Sequence, residues 1–304
     1  MKKILALILA LTMVFALAAC GETEPTTEPT TEPTQPATDF VPQEAEWENG
    51  KITVVGAEAI KDSDDKDGIR IYYDYENTTD ETVTASENLD IVVMQDEYEA
   101  EEVYTWEDAP EYGNDSLRLR PGAAIRCCAE YSMKATGGEV VVNFFDYWSE
   151  EGIGSVTFDP AALPGRPAKE LEIKPVADPV WTSDLSDEGI VDEDDGYYVV
   201  IDSAETLKDD DGNDAVRIYF QFTNGGTDAT SLWFGTTVAV YQDGVELEEA
   251  SVFDDPAEGV GFYDDVASGE TSVVSNEYIL RSDSPVEVEV LDTWGEGGIG
   301  CVFS

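Results

Sequence analysis

The stretch Gly68-Ile69-Arg70-Ile71-Tyr72-Tyr73-Asp74-Tyr75-Glu76-Asn77 decides how this chain folds, because it returns as Ala215-Val216-Arg217-Ile218-Tyr219-Phe220-Gln221-Phe222-Thr223-Asn224. In the first copy Ile69, Ile71, Tyr73 and Tyr75 alternate with Arg70, Tyr72, Asp74 and Glu76, and in the second Val216, Ile218, Phe220 and Phe222 do the same. A period of two belongs to a strand that buries one face. The copies lie about 147 residues apart, a spacing that marks a duplicated module.

Working outward, the register holds. Gln95-Asp96 matches Gln242-Asp243, and Glu130-Tyr131 matches Glu277-Tyr278. One residue shorter, Asp146-Tyr147-Trp148 with Gly152-Ile153-Gly154 matches Asp292-Thr293-Trp294 with Gly298-Ile299-Gly300. Val140, Val142 and Phe144 alternate as Val286, Val288 and Val290 do, and further strands are expected over 52–59, 89–95, 123–133 and 154–158. Pro121-Gly122 and Asp243-Gly244 supply turns between them. No long helix is evident. Six or seven short strands per copy predict an all-β chain of two tandem antiparallel immunoglobulin-like β-sandwich domains, with a small barrel as the alternative.

The N-terminus reads differently. Met1, Lys2 and Lys3 precede an apolar run broken only by Thr12, which is the layout of a signal peptide and too short for a permanent membrane span. Leu17-Ala18-Ala19-Cys20 resembles the lipobox of bacterial lipoproteins, so cleavage before Cys20 and a diacylglyceryl thioether on its sulfur are expected. A second acyl chain then makes the anchorage stable. Thr23-Glu24-Pro25-Thr26 repeats twice more up to Thr34. Prolines at that spacing favour extended backbone, so 21–43 spans roughly 60 to 70 Å as a tether. The expected organisation is 1–19 signal peptide, 20–47 lipidated cysteine and tether, 48–160 first sandwich, 161–195 linker and 196–304 second sandwich. Pro160, Pro164, Pro167, Pro175 and Pro179 mark the linker.

Charge limits the partners. The chain has 67 Asp and Glu against 16 Lys and Arg, a formal net charge of −51, and loss of Lys2 and Lys3 with the leader takes it to −53. Nucleic acid and anionic lipid surfaces are poor partners for that field. The 42% of hydrophobic residues nevertheless supplies two cores.

Three segments resemble a family. Asn224 with Thr227-Asp228-Ala229-Thr230, then Tyr241-Gln242-Asp243-Gly244-Val245-Glu246-Leu247-Glu248, and Ser284-Pro285-Val286-Glu287-Val288, are similar to an uncharacterised lipoprotein domain family common in Firmicutes. The first copy keeps Gln95-Asp96 and Leu119-Arg120-Pro121-Gly122-Ala123, but Glu97-Tyr98 replaces the expected Gly-hydrophobic pair. The resemblance implies an immunoglobulin-like fold and a Gram-positive surface location. It brings no functional residues and no cofactor.

Chemistry is therefore sought residue by residue. The chain has no histidine, which removes Ser-His-Asp and Cys-His devices and the commonest zinc ligand, and no enzyme is expected. The acidic turns offer Asp62 and Asp64, and Asp209, Asp211 and Asn213, as calcium-ligand candidates, although Lys66 occupies a ligand position and the glycine is displaced. A solvated hairpin turn is the plainer reading. Trp148 and Trp294, beside Asp146 and Asp292, are expected to plug the end of each core, with a sugar-stacking platform as the alternative. Trp106, Trp233 and Phe253 are read as peripheral aromatics without an aromatic counterpart in the other copy.

Cys127 aligns with Val274 and is expected in the core, Cys128 aligns with Ser275 on the outer face, and Cys301 aligns with Ser155. Reduced thiols are expected, because each cysteine lacks a counterpart in the other copy. Arg70 and Arg217 share one position and are expected to make cross-strand pairs with carboxylates. Two function classes follow. The modules display a binding or adhesion surface for an extracellular protein, glycan or cationic peptide, or they form an envelope spacer without a specific ligand. The sequence sets no oligomeric state.

Overall fold

Alternation becomes two layers of sheet in each copy. The computed structural model describes residues 40–106, 109–173, 181, 190–191, 196–253, 259–292 and 297–304. The leader, Cys20 and most of the tether lie outside the described residues. Among those described, no helix is long and apolar enough to cross a membrane.

Module 1 comprises β1 (Gln43–Trp47), β2 (Gly50–Lys61), β3 (Asp67–Glu76), the single helical turn α1 (Ala85–Asn88), β4 (Leu89–Gln95), β5 (Tyr98–Glu99), β6 (Ala124–Ser132), β7 (Val140–Asp146) and β8 (Gly152–Phe158). One sheet runs β1-β2-β3-β6 and the other β5-β4-β7-β8. Ile69, Ile71 and Tyr75 are fully buried between them, with Val93, Ile125, Val142 and Phe144. The outer face of β3 is covered as well: Tyr72 packs with Cys128 and Ala109 in a small separate cluster. The expected half-buried strand is thus buried on both faces. β1 begins inside the stretch expected as tether, and 161–173 packs on module 1, with Leu163 in its core and the Gly165 N–H donating to Ala57.

Module 2 comprises β9 (Ile190–Val191), β10 (Tyr197–Lys208), β11 (Asp214–Asn224), the turn α2 (Leu232–Gly235), β12 (Thr236–Gln242), β13 (Val245–Glu246), β14 (Val260–Gly261), β15 (Thr271–Ile279), β16 (Val286–Asp292) and β17 (Gly298–Phe303). Its sheets run β14-β15-β11-β10-β9 and β13-β12-β16-β17. Val216, Ile218, Phe220 and Phe222 form its core with Val274, Val288 and Val290. The pairings are antiparallel except that of β14 with β15, which is parallel. The chain is all-β, built as two sandwich-like halves in tandem.

The repeat persists in side chains that hold loops. Asn77 Nδ2 donates to the carbonyls of Glu81 and Leu119, and Asn224 Nδ2 donates to those of Asp228 and Val266. Gln95 Nε2 spans the carbonyls of Lys134 and Gly138 at 3.0 Å, and Gln242 Nε2 spans those of Ser282 and Ser284. Thr84 and Ser231 cap the two helical turns. Arg70 pairs with Glu130 and Glu58, and Arg217 with Glu277 and Glu205 at the same strand positions. Buried polar groups need such partners.

One loop joins the modules. The segment before β6 runs beside β13: Leu119 bridges Val245, the Arg120 N–H donates to Gly244, and the Glu246 N–H donates to Arg118. Arg118 also grips the Glu246 carboxylate, with Nη2 to Oε1 at 2.6 Å. Arg120 is fully buried, bonds Glu287, lies 3.9 Å from Glu289 and stacks 4.0 Å from the Tyr241 ring centroid. The described part of 174–189, Trp181, has its ring centroid 4.9 Å from the same guanidinium. In the repeat register Arg120 corresponds to Ala267.

Candidate functional site

At the open edge of module 1, where β6 borders the gap between the sheets, lies a cavity of about 540 Å³. α1 and the start of β4 form one wall, with Ser86, Leu89, Asp90 and Ile91. Glu102 to Tyr104 pass along the opposite side, tied to β6 by the Val103 N–H to Glu130. The third wall is the 3-10 turn Asn114–Ser116, anchored when Asn114 Nδ2 donates to the Arg126 carbonyl at 2.7 Å. Tyr73 and Tyr131 close the floor, and Tyr104, Tyr112 and Tyr147 stand at the rim.

Module 2 carries the same cleft. Glu246 and Leu247, whose counterparts Glu99 and Ala100 lie outside the first cleft, line a cavity of about 330 Å³ together with Trp233, Thr236, Thr237, Val238, Glu249, Phe262 and Tyr278. In the repeat register the last seven are the positions of Ser86, Leu89, Asp90, Ile91, Glu102, Asp115 and Tyr131, all in the first cleft. The supporting bridges repeat too, Glu102 with Tyr131 and Glu249 with Tyr278. The linings differ at several positions, among them Leu89 against Thr236, Tyr104 against Ser251 and Tyr112 against Gly259, and at three of them module 2 gains an aromatic ring. Where module 1 has Ser86, Asp115 and Ser116, module 2 has Trp233, Phe262 and Tyr263, and the Tyr263 ring stacks 5.7 Å from Trp233 and 5.2 Å from Phe262. The second cleft, with Trp233 and Phe262 in place of Ser86 and Asp115, is the smaller of the two.

Electrostatics reinforce the contrast. Burial pushes the Asp115 carboxyl up, partly offset by the backbone N–H groups of Asp115 and Ser116. Burial likewise drives the Tyr73 hydroxyl well above its ordinary range, with nearby Cys127 and Asp115 adding to it. Tyr263 in module 2 is pushed up to about 12 by burial and by its bond to Glu249.

The residues singled out by sequence fall elsewhere. Asp62 Oδ1 accepts from the N–H groups of Asp64 and Lys66, while the Asp64 carboxylate pairs with Lys66 Nζ at 2.9 Å. Asp209 Oδ1 accepts from the N–H groups of Asp211 and Asn213, and its Oδ2 from Asn213 Nδ2. These carboxylates organise their own turns. Among the described residues no group of three or more Asp, Glu, Cys or His is placed to hold a metal ion.

Trp148 does not plug the core: it is 71% exposed and packs edge-on against Tyr147 at 5.5 Å. Asp146 is the cause, since it accepts from the Trp148 and Ser149 N–H groups and the Ser149 hydroxyl, closing a tight turn that carries the indole outward. Trp47, tilted on Tyr75 at 6.0 Å, packs against the core instead. Trp294 lies outside the described residues. Trp106 and Phe253 do correspond, contrary to the sequence reading, and are 84% and 86% exposed beside their acidic turns. Cys127, Cys128 and Cys301 are free thiols; burial raises the first well above its usual range and the second to about 12. Cys128 is buried beneath Ala109 on the outer face.

Sequence reasoning missed the cleft. The register shows Ser86, Asp115 and Ser116 against Trp233, Phe262 and Tyr263, but nothing in it says that these positions meet.

The chain is similar to solved structures only distantly. A structure described as a proposed lipoprotein from Staphylococcus aureus subsp. aureus NCTC 8325 shares 13% identity over 40% of this chain and 96% of that one, with a TM-score of 0.33. The Amycolatopsis orientalis exo-chitosanase CsxA, in complex with PNP-β-D-glucosamine, shares 12% identity over 81% of this chain and 26% of that one, with a TM-score of 0.23. No curated protein matches the chain. The domain of unknown function DUF5067 matches residues 25–146 and again 181–292. The chain belongs to the DUF5067 family and carries its domain twice.

Proposed function

We propose that this protein is a lipoprotein of a Gram-positive cell surface, held by lipid on Cys20, and that it binds an extracellular ligand through the cleft of module 1. The modules are read as immunoglobulin-like sandwiches, and the activity as binding without catalysis. The observation that carries this reading is the repeated cleft: one scaffold position, open in one copy and narrowed in the other. A cavity with converging polar groups is where a small ligand binds on such a scaffold. The leader, the cysteine and the Pro-Thr-Glu repeats support surface display. The spacer reading draws support from the buried Arg120, which ties module 1 to Glu287, Glu289 and Tyr241 of module 2.

Two experiments separate these readings. Cys20→Ala is expected to release the protein into the medium, whereas retention through a carbonate wash contradicts lipid anchorage. Pull-downs from the producing cell's envelope and from glycan panels then compare the native chain with Tyr104→Ala/Tyr112→Ala, both exposed at the rim. Capture by the native chain that the double variant loses supports the cleft. Equal capture by both places binding elsewhere, and no capture by either supports the spacer.

A further inference from the structure

We propose that the module 1 cleft selects an organic cation with a flat apolar body, an arylalkylamine in kind. This rests on the cleft reading above and names its ligand class.

The lining supplies the reason. Tyr73, Tyr112 and Tyr131 line the cavity, Tyr112 exposed at the rim above the buried Tyr73 and Tyr131, and Asp90, Glu102, Asp115 and Glu130 line it with carboxyl groups, that of Glu130 already paired with Arg70. Among the described residues, no lysine or arginine lines this cavity. The cavity of about 540 Å³ is of the size that encloses a small organic molecule. Aromatic faces attract cations, and more strongly once water is displaced. The net field of the chain draws cations and repels anions.

Asp115 makes the case specific. At its register position module 2 buries Phe262, only 5% exposed, inside the second core. The half-buried Asp115 carboxylate, at a position that accepts a phenyl ring in module 2, is only partly compensated by the Asp115 and Ser116 N–H groups, and a positive charge pairing with it offsets the rest. Among the side chains lining the cavity that charge is not supplied, so the ligand supplies it. The remaining space where module 2 places Phe262 and Trp233 then takes the apolar body, which substitutes for the missing aromatics.

Calorimetric titration of the full chain with tyramine and with 4-ethylphenol, its equivalent without the amine, tests this. Tyramine is expected to bind about tenfold more tightly, the scale of a partly desolvated cation–π and charge contact. Its affinity falls with added salt while that of 4-ethylphenol stays level. Asp115→Asn erases the preference, and Asp115→Phe, which copies module 2 and is checked for folding by its melt, abolishes binding. Equal binding of the two probes overturns the cation class while leaving the cleft as a binding site. Tyramine binding that survives Asp115→Phe overturns both, and no binding of tyramine overturns the inference.

Discussion

Module 1 and module 2 share a framework and differ at the places where something else must be met. Asn77 and Asn224, Gln95 and Gln242, and Arg70 and Arg217 hold the same groups in each copy. Arg120 in place of Ala267, Asp115 in place of Phe262 and Ser86 in place of Trp233 are among the departures, and they lie at the joint and in the open cleft. The comparison teaches that repetition marks what folding requires, whereas a break in the repetition marks a task that one copy has taken on.

The joint provides the largest test. Arg120 is fully buried against Glu287, Glu289 and Tyr241, so Arg120→Ala leaves two carboxylates facing a void. Removing one partner of a buried pair costs about 3–5 kcal/mol. Denaturant unfolding is expected to show that loss together with two separated transitions, one per module; a single unchanged transition removes Arg120 as the lock.

Asn77→Ala and Asn224→Ala come next. Each side chain satisfies two carbonyls from the same two directions, and stranding them costs roughly 1–3 kcal/mol. Melts of the two variants are expected to fall by similar amounts. A large inequality shows that the copies are less alike in energy than in geometry.

Asp146 gives a pH dependence. Burial alone raises its carboxyl, but bonds from Ser149, Asn49 and Trp148 outweigh this and hold it below the usual range. A depressed folded-state value contributes stability that is present above the unfolded value and lost as pH falls through the folded one. The melting difference between the native chain and Asp146→Asn is therefore expected at about pH 5 and is expected to close toward about pH 2. A difference that stays constant over that range assigns the effect to packing.

The smallest effect concerns a turn. Asp96 and Glu97 both adopt positive φ, 52° and 68°, where module 2 uses Asp243 and Gly244. A side chain in that region costs about 1–2 kcal/mol relative to glycine, partly returned by the unfolded chain's lower freedom. Glu97→Gly is expected to raise the melting temperature slightly, and a lowered one shows that Glu97 has a contact in the turn that outweighs its strain.

Much of this fold is legible in the sequence, because a period of two in β3 and β11 and a constant register reduce strand placement to counting. The position of Arg70 against carboxylates follows from the same alternation. The turn at Glu97 is legible from the missing glycine. Three features are not. The outer face of β3 is covered by Thr105 and Ala109, in a stretch without periodicity, so its burial is invisible until the chain is folded. Trp148 follows an aspartate whose hydrogen bonds, not its hydrophobic neighbours, decide which way the indole points. The cleft exists only where α1, the strand edge and the 114–116 turn converge from distant parts of the chain.

Hydrogen–deuterium exchange of the full chain, with and without tyramine, tests the central claim most directly. The account predicts protection confined to module 1, at 86–91, 102–104, 112–116 and 128–131, with 233–238 and 260–263 unchanged. Protection of the module 2 segments alone, or of the acidic turns 62–67 and 209–214, would contradict it.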